Sequence, residues 1–241
     1  MSALHMLSNI ISEEVSLELI EPHIYSVYSI GDLPGSYDNL GASTIYDWVA
    51  CNRFYNWLMW GYAVKDYVTL CEGILSTSSE GWILDLACGS LAFTAGIYAN
   101  STNRPVVFLD QSLKLLRKGK YRLEKLVGRI PESMFFLHAD ALQVPFRANV
   151  FQAVISLNLL HCIDEVKTAL GEIKRLLADG GKSAITTLVQ SNRWSNRYLN
   201  MLAGSGALIS RNQHELMTAF SDMQMEVTYE IKGNLAFIRY E

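Results

Sequence analysis

The chain has 241 residues, of which 50% are hydrophobic, and a formal net charge of −4 at pH 7. This length supports one sizeable core and makes a second full domain unexpected. The net negative charge argues against a broad basic surface for nucleic acid. No apolar run reaches the roughly 18 residues that a membrane span needs. The first residues lack the basic start and apolar stretch of a signal peptide, and the four cysteines form no C-x-x-C pair. We therefore expect reduced cysteines, no bound metal and a cytoplasmic protein without a membrane partner.

Residues 1–80 precede the main pattern of strands and helices, and we interpret them as an N-terminal helical lid that helps to form a substrate pocket. Eight aromatic residues lie between Tyr46 and Tyr67, spread too evenly for one narrow helical stripe. Most of them are expected in the core. Tyr46 and Tyr55 are the candidates whose polar tips would face a substrate, and a second wall is expected near residues 191–209.

Residues 81–241 predict a ligand-binding α/β core, which begins with an apolar strand at 82–86. That strand contains Asp85 and leads into a turn with Gly89, after which the apolar residues have helical spacing. A dinucleotide loop reads G-x-G-x-x-G, and this loop supplies one glycine of the three, so the pattern is weak for NAD. A carboxylate at the mouth of the loop would repel a diphosphate and attract an ammonium or sulfonium group. Leu91 is expected to place a bulky side chain beside that ligand.

The next two strands also end in polar residues that suit an adenosine. The strand at 105–109 is followed by Asp110, which is placed to accept hydrogen bonds from both ribose hydroxyls, with Gln111 as the neighbouring alternative. The strand at 134–138 leads to Asp140 and Ala141, which suit the edge of an adenine ring. Three strand ends therefore face one adenosine.

The remaining elements alternate, which indicates βαβ units and a mostly parallel sheet. Further strands are predicted near 150–156 and 182–189, and helices near 91–100, 112–127 and 164–178. Two alternating strands at the C-terminus flank a turn at residues 232–234, which predicts a terminal hairpin.

The fourth strand of this core ends near Asn158 and His161, at the sheet edge where chemistry is expected. His161 is the candidate general base, although it could equally cap the next helix or pair with Asp164. The run Asn158-Leu-Leu-His161 lacks the two prolines of the D/N-P-P-Y/F turn that methylates amines in nucleic acid. A small metabolite is therefore the better substrate class.

The ordered motifs of this sequence resemble those of class I S-adenosylmethionine-dependent methyltransferases, above all the small-molecule group typified by ubiquinone and menaquinone biosynthesis. The motifs that carry the resemblance are Asp85–Gly89, Asp110–Ser112, His138–Ala141, Phe151–Asn158 and Leu176–Gly181. The resemblance implies a doubly wound, Rossmann-like, seven-stranded sheet that ends in an antiparallel hairpin, and S-adenosylmethionine as the cofactor. It departs from the family loop D-x-G-x-G-x-G at Ala87 and Leu91, and Gln152 stands where the family often has aspartate.

The resemblance also implies roles for individual residues. Tyr46-Asp47 resembles a Tyr-Asp pair that approaches the methionine end of the cofactor, so Tyr46 joins His161 as a catalytic candidate. The candidate cofactor-binding residues are Asp85, Ala87, Gly89, Asp110, Gln111, Asp140, Ala141 and Asn158.

The activity that follows is transfer of a methyl group to a small-molecule acceptor by direct displacement at sulfur. One alternative keeps the fold and cofactor but catalyses another reaction, such as cyclisation. Another alternative is a nucleotide-binding protein or dehydrogenase, against which the missing glycines count.

Overall fold

The structure is a computed structural model that describes residues 3–29, 55–101, 104–191 and 194–241. Within these residues the chain forms a nine-stranded sheet. The strands are β1 (Glu18–Glu21), β2 (Ile24–Ser26), β3 (Trp82–Leu86), β4 (Val106–Asp110), β5 (Met134–His138), β6 (Phe151–Leu157), β7 (Leu177–Leu188), β8 (Val227–Lys232) and β9 (Leu235–Tyr240).

The strand order across the sheet is β1-β2-β5-β4-β3-β6-β7-β9-β8. Neighbours from β2 to β7 are parallel, whereas β9 pairs antiparallel with both β7 and β8. The mostly parallel sheet and the terminal antiparallel hairpin are therefore confirmed.

The predicted count of seven strands is wrong, because an N-terminal hairpin extends the sheet by two. Strand β1 pairs antiparallel with β2, and β2 lies parallel to β5, with Ile24 opposite Phe136. Residues 18–26 of the segment predicted as a helical lid thus belong to the sheet. Strands of four and three residues are too short to show a clear alternation of apolar and polar side chains.

Helices cover both faces of the sheet, as a doubly wound fold requires. In the described residues they are α1 (Ala3–Ser8), α2 (Val64–Thr77), α3 (Ala95–Ser101), α4 (Leu113–Val127), α5 (Val166–Leu176), α6 (Asn196–Gly204) and α7 (Gln213–Asp222), with one π-helical turn at Asn56–Trp60. Helices α1, α5 and α7 share one buried apolar cluster with the sheet, and α2, α3, α4 and α6 share a second. None of the described helices is long and apolar enough to cross a membrane.

Candidate functional site

The loop after β3 has a backbone with alternating left-handed residues. Ala87, Gly89 and Leu91 have φ angles of 58°, 55° and 53°. For a residue with a Cβ atom this conformation costs roughly 1–2 kcal/mol. Ala87 and Leu91 therefore adopt the conformation that glycines hold in the family pattern, and the surrounding structure must stabilise it.

The side chain of Leu91 does not lie beside the ligand space, which corrects the expectation from the sequence. Leu91 is 1% exposed and belongs to the buried cluster of α4. A Cβ atom added to Gly119 of that helix would lie 3.1 Å from Leu91 Cγ. The helix thus has a glycine where Leu91 packs, and this contact turns the isobutyl group away from the loop's open side.

Hydrogen bonds from two neighbouring elements hold the same loop. The Arg122 guanidinium of α4 donates to the carbonyl oxygen and to the hydroxyl of Ser90. The Gly89 N–H donates to Asp110 Oδ2 at 2.7 Å, and the Ser112 N–H donates to Asp110 Oδ1 at 2.9 Å. Asp110 is therefore fixed at the end of β4 by the cofactor loop on one side and the start of α4 on the other.

Asp85 is 1% exposed, which shows that it lies beneath the loop rather than at its mouth. Its carboxylate accepts a hydrogen bond of 3.1 Å from the Thr94 hydroxyl. Burial raises the pKa of Asp85 to about 7, against the opposing effect of the hydrogen bond from Thr94. The contacts seen here link β3 to the turn before α3, and a direct contact of Asp85 with a cofactor stays a prediction.

The described residues leave the open side of the loop accessible to a ligand. A Cβ atom added to Gly89 meets no described atom within 4 Å, so a ligand can approach the backbone there. The Asp110 carboxylate is oriented at the carboxyl edge of the sheet, where parallel α/β sheets bind ligands. Asp140 accepts the Leu142 N–H at 2.8 Å in the turn after β5, and Ala141 is buried beside it. Gln111 is exposed, and its carbonyl oxygen lies 3.1 Å from His138 Nε2.

A largely apolar cavity of about 170 Å³ opens next to this loop. Its aromatic walls are Tyr55, Trp60, Tyr62, Phe93 and Tyr198. Four aliphatic residues, Leu188, Leu202, Ala207 and Leu208, complete the apolar surface. Phe93 lies two residues after Leu91, so the segment that leaves the loop contributes one wall of the cavity.

Three further polar side chains also line the cavity, namely Asn56, Asn158 and His161. Asn158 directly follows β6 and has a φ of 64°. Its amide nitrogen donates to the Tyr67 hydroxyl at 2.9 Å, and its amide oxygen lies 3.3 Å from the Thr186 hydroxyl, which donates to it. The side chain is thus held at the sheet edge between the cavity and α2.

His161 is 4% exposed and lies between β7 and the cavity. The Leu188 N–H donates to His161 Nδ1 at 3.2 Å, and the Thr187 hydroxyl lies 3.3 Å from the same nitrogen. Burial, together with the positive charge of Arg211, lowers the pKa of His161 to about 4. No ion pair with Asp164 is found among the described contacts of His161. The imidazole is therefore neutral at pH 7.

Two segments that line the cavity, the π-helical turn Asn56–Trp60 and helix α6, are attached to the turn between β8 and β9. The Asn234 N–H donates to the carbonyl oxygen of Trp60, at the end of the π-helical turn, at 2.7 Å. The buried Asn234 side chain accepts from the Ser195 hydroxyl at 2.6 Å and donates to the Asn196 amide oxygen at 2.6 Å, at the start of α6. The sequence indicated a turn here, but the anchoring role of Asn234 was missed because its partners are distant in the chain.

Two further expectations concern residues at or beyond the limits of the described chain. Tyr46 lies outside the described residues, so its catalytic role stays a prediction. Tyr55 lines the cavity, and its hydroxyl donates to that of Tyr198 at 3.0 Å. Among the described residues no cluster of histidine, cysteine and carboxylate side chains could hold a metal ion.

Comparison with known families gives a match to the methyltransferase domain over residues 84–185. An uncharacterized chloroplastic methyltransferase of Arabidopsis thaliana is 30% identical over 155 residues, which cover 61% of this chain and 43% of that protein. A demethylmenaquinone methyltransferase of Clavibacter sepedonicus is 36% identical over 104 residues, which cover 43% of this chain and 39% of that protein. The matched region thus spans less than half the length of either relative.

Solved structures share the fold at low sequence identity. Phosphoethanolamine N-methyltransferase 2 of Haemonchus contortus, solved in complex with S-adenosyl-L-methionine, superposes with a TM-score of 0.64 at 15% identity. The superposition covers 88% of this chain and 60% of that one. The match therefore extends well beyond residues 84–185.

Proposed function

We propose that this chain is a class I S-adenosylmethionine-dependent methyltransferase that transfers a methyl group from the cofactor to a small-molecule acceptor. The match to the methyltransferase domain over residues 84–185 supports this proposal. One observation carries the proposal: β3 and β6 are neighbouring parallel strands, so the loop after β3 lies at the same edge of the sheet as Asn158, which follows β6 and lines the apolar cavity. A donor and an acceptor can therefore meet at the carboxyl edge of β3 and β6.

The residues at the cofactor side would bind and orient it. Asp110 would accept hydrogen bonds from the ribose hydroxyls, since a carboxylate oxygen that already accepts one backbone N–H can accept a second donor. Asp140 and Ala141 would flank the adenine. When bound, the cofactor would supply a methyl group on a positively charged sulfur. The acceptor's nucleophilic atom would form a bond to the methyl carbon as the carbon–sulfur bond breaks, the sulfur would leave as a neutral thioether, and the proton of a neutral acceptor would pass to water.

The residues at the cavity side would align the acceptor and exclude water. Alignment of the nucleophile with the methyl carbon can account for much of the acceleration of such a displacement. The apolar walls suit this task, as do the π-helical turn and helix α6 that Asn234 holds in place. We propose small-molecule biosynthesis as the context, because the cavity is too small for a macromolecular side chain to enter together with its backbone.

Calorimetric and thermal-shift titrations with S-adenosylmethionine, S-adenosylhomocysteine and NAD test the cofactor assignment. The first two should bind, and at 100 times the dissociation constant they should stabilise the fold by about 2.7 kcal/mol. NAD should not, because the loop lacks two of the three glycines that admit a pyrophosphate. Stabilisation by NAD alone would overturn the proposal in favour of a dehydrogenase.

The reaction products, rather than cofactor binding, distinguish methyl transfer from a non-methylating reaction. Methyl transfer yields one S-adenosylhomocysteine for each acceptor that gains a methyl group, as mass spectrometry would show. An acceptor that changes structure without formation of S-adenosylhomocysteine would identify the alternative.

A further inference from the structure

We propose that the acceptor is an uncharged compound with one aromatic ring in the cavity, and that His161 donates a hydrogen bond from Nε2 to an oxygen of that compound. This assignment rests on the proposed methyl transfer, because it takes the cavity beside the cofactor loop as the acceptor site. It replaces the role of general base that the sequence suggested for His161.

The size of the cavity points to a single ring. Its volume is about 170 Å³. An apolar cavity of about 150 Å³ is known to hold one benzene molecule. The walls are chiefly aromatic, and aromatic side chains favour edge-to-face or offset contacts with another ring. A ring with one small substituent therefore suits such a space.

The described lining residues carry no charged side chain, which points to an uncharged acceptor. A charge taken into such a cavity without a partner loses several kcal/mol of hydration. The positive charge of Arg211 acts on His161, but that guanidinium donates to the carbonyl oxygens of Leu160 and Ile163 at 2.6 and 2.7 Å. Arg211 does not line the cavity, and its hydrogen bonds stabilise the backbone on either side of His161.

The protonation of His161 follows from its contact with β7. The backbone N–H of Leu188 can only donate, so Nδ1 at 3.2 Å must be the acceptor, and the proton of the neutral ring lies on Nε2. The described residues provide no hydrogen bond to Nε2. A proton taken from an acceptor would have to enter at Nδ1, which would break the Leu188 contact. The imidazole thus offers the cavity a donor and selects an acceptor that carries an oxygen lone pair.

Three probes of nearly the same shape separate these requirements. Acetophenone has one ring and a carbonyl oxygen, α-methylstyrene replaces that oxygen with a CH₂ group, and benzoate carries a negative charge. Each would be titrated into the full chain saturated with S-adenosylhomocysteine, and dissociation constants would be measured by ligand-detected NMR. We expect acetophenone to bind roughly three- to tenfold more tightly than α-methylstyrene, the difference that one hydrogen bond makes, and benzoate to bind more weakly than both.

Two variants of His161 assign that hydrogen bond to one nitrogen. His161→Asn keeps an acceptor for the Leu188 N–H near the position of Nδ1 but has no donor at the position of Nε2. His161→Gln reaches the position of Nε2 with an amide N–H. The ratio of the two dissociation constants measured on the same protein should show no preference for acetophenone over α-methylstyrene in His161→Asn, and the preference should persist in His161→Gln.

The outcomes separate this assignment from the proposed function. If S-adenosylhomocysteine binds but benzoate is the tightest probe, or none of the probes binds, the acceptor assignment is overturned and the cofactor assignment stands. An equal preference for acetophenone in wild type and His161→Asn would overturn the role of His161. If S-adenosylhomocysteine itself fails to bind, both proposals fall.

Discussion

Substitution of Gly119 by alanine tests whether helix α4 holds the cofactor loop through Leu91. The new Cβ atom would lie 3.1 Å from Leu91 Cγ and 3.4 Å from both the carbonyl oxygen of Gly89 and the carbonyl carbon of Ser90. Overpacking of this kind costs about 1–3 kcal/mol, whereas alanine in place of glycine in a helix gains about 1 kcal/mol. The free energy of unfolding should therefore fall by roughly 0–2 kcal/mol.

The substitution should also weaken the affinity for the cofactor. Two of the three atoms that crowd the new methyl group belong to the loop backbone, so we expect the loop to shift away from α4. A displacement that costs about 1.4 kcal/mol of binding free energy weakens S-adenosylhomocysteine binding roughly tenfold. Titration calorimetry measures this affinity, and urea denaturation measures the stability.

Gly73 provides a matched control, because it lies within helix α2 and an added Cβ atom meets no described atom within 4 Å. Gly73→Ala should stabilise the protein by about 0.5–1 kcal/mol and leave binding unchanged. The double variant Leu91→Ala, Gly119→Ala should be less destabilised than the two single changes predict by addition, since the new methyl group occupies part of the vacated space. If Gly119→Ala behaves like Gly73→Ala in both assays, the account of the loop is refuted.

Three further predictions concern single residues around the site. Asp110→Ala should weaken S-adenosylhomocysteine binding in calorimetry by roughly 2–3 kcal/mol, and an unchanged affinity would move the ribose contact elsewhere. Because burial raises the pKa of Asp85 from 3.8 to about 7, the folded state retains a proton that the unfolded chain has lost, and stability falls as the pH rises through this range. Asp85→Asn should remove that loss in urea denaturation of the ligand-free protein between pH 4 and 7, and parallel profiles for the two proteins would contradict the assignment. Asn234→Ala should weaken acetophenone binding more than S-adenosylhomocysteine binding, because it releases the start of α6 from the turn; equal effects on both ligands would show that the turn stabilises the whole fold instead.

The central strands could be predicted from the sequence because each is a continuous apolar run with a polar residue near its carboxyl end. Strands β3, β4 and β5 consist of five residues each and are almost wholly buried. Such runs are typical of parallel strands covered by helices on both faces. The order of the polar ends, Asp85, Asp110 and Asp140, was therefore enough to indicate the candidate cofactor site.

Features that depend on contacts between distant parts of the chain could not be predicted in the same way. The orientation of Leu91 depends on a glycine at position 119, and neither residue signals the other in the sequence. The proton position on His161 depends on the backbone N–H of Leu188, which any residue at that position would supply. A histidine at a strand end therefore suggested a general base, whereas the contact with β7 favours a donor.

The most direct test of the central claim is a crystal structure of the full chain with S-adenosylhomocysteine. The account predicts both ribose hydroxyls within hydrogen-bond distance of Asp110, with the thioether sulfur facing the aromatic cavity between Phe93 and Asn158. Leu91 should remain packed on Gly119. A ligand bound elsewhere, or a sulfur atom that faces away from the cavity, would contradict the claim that the loop and the cavity form one active site.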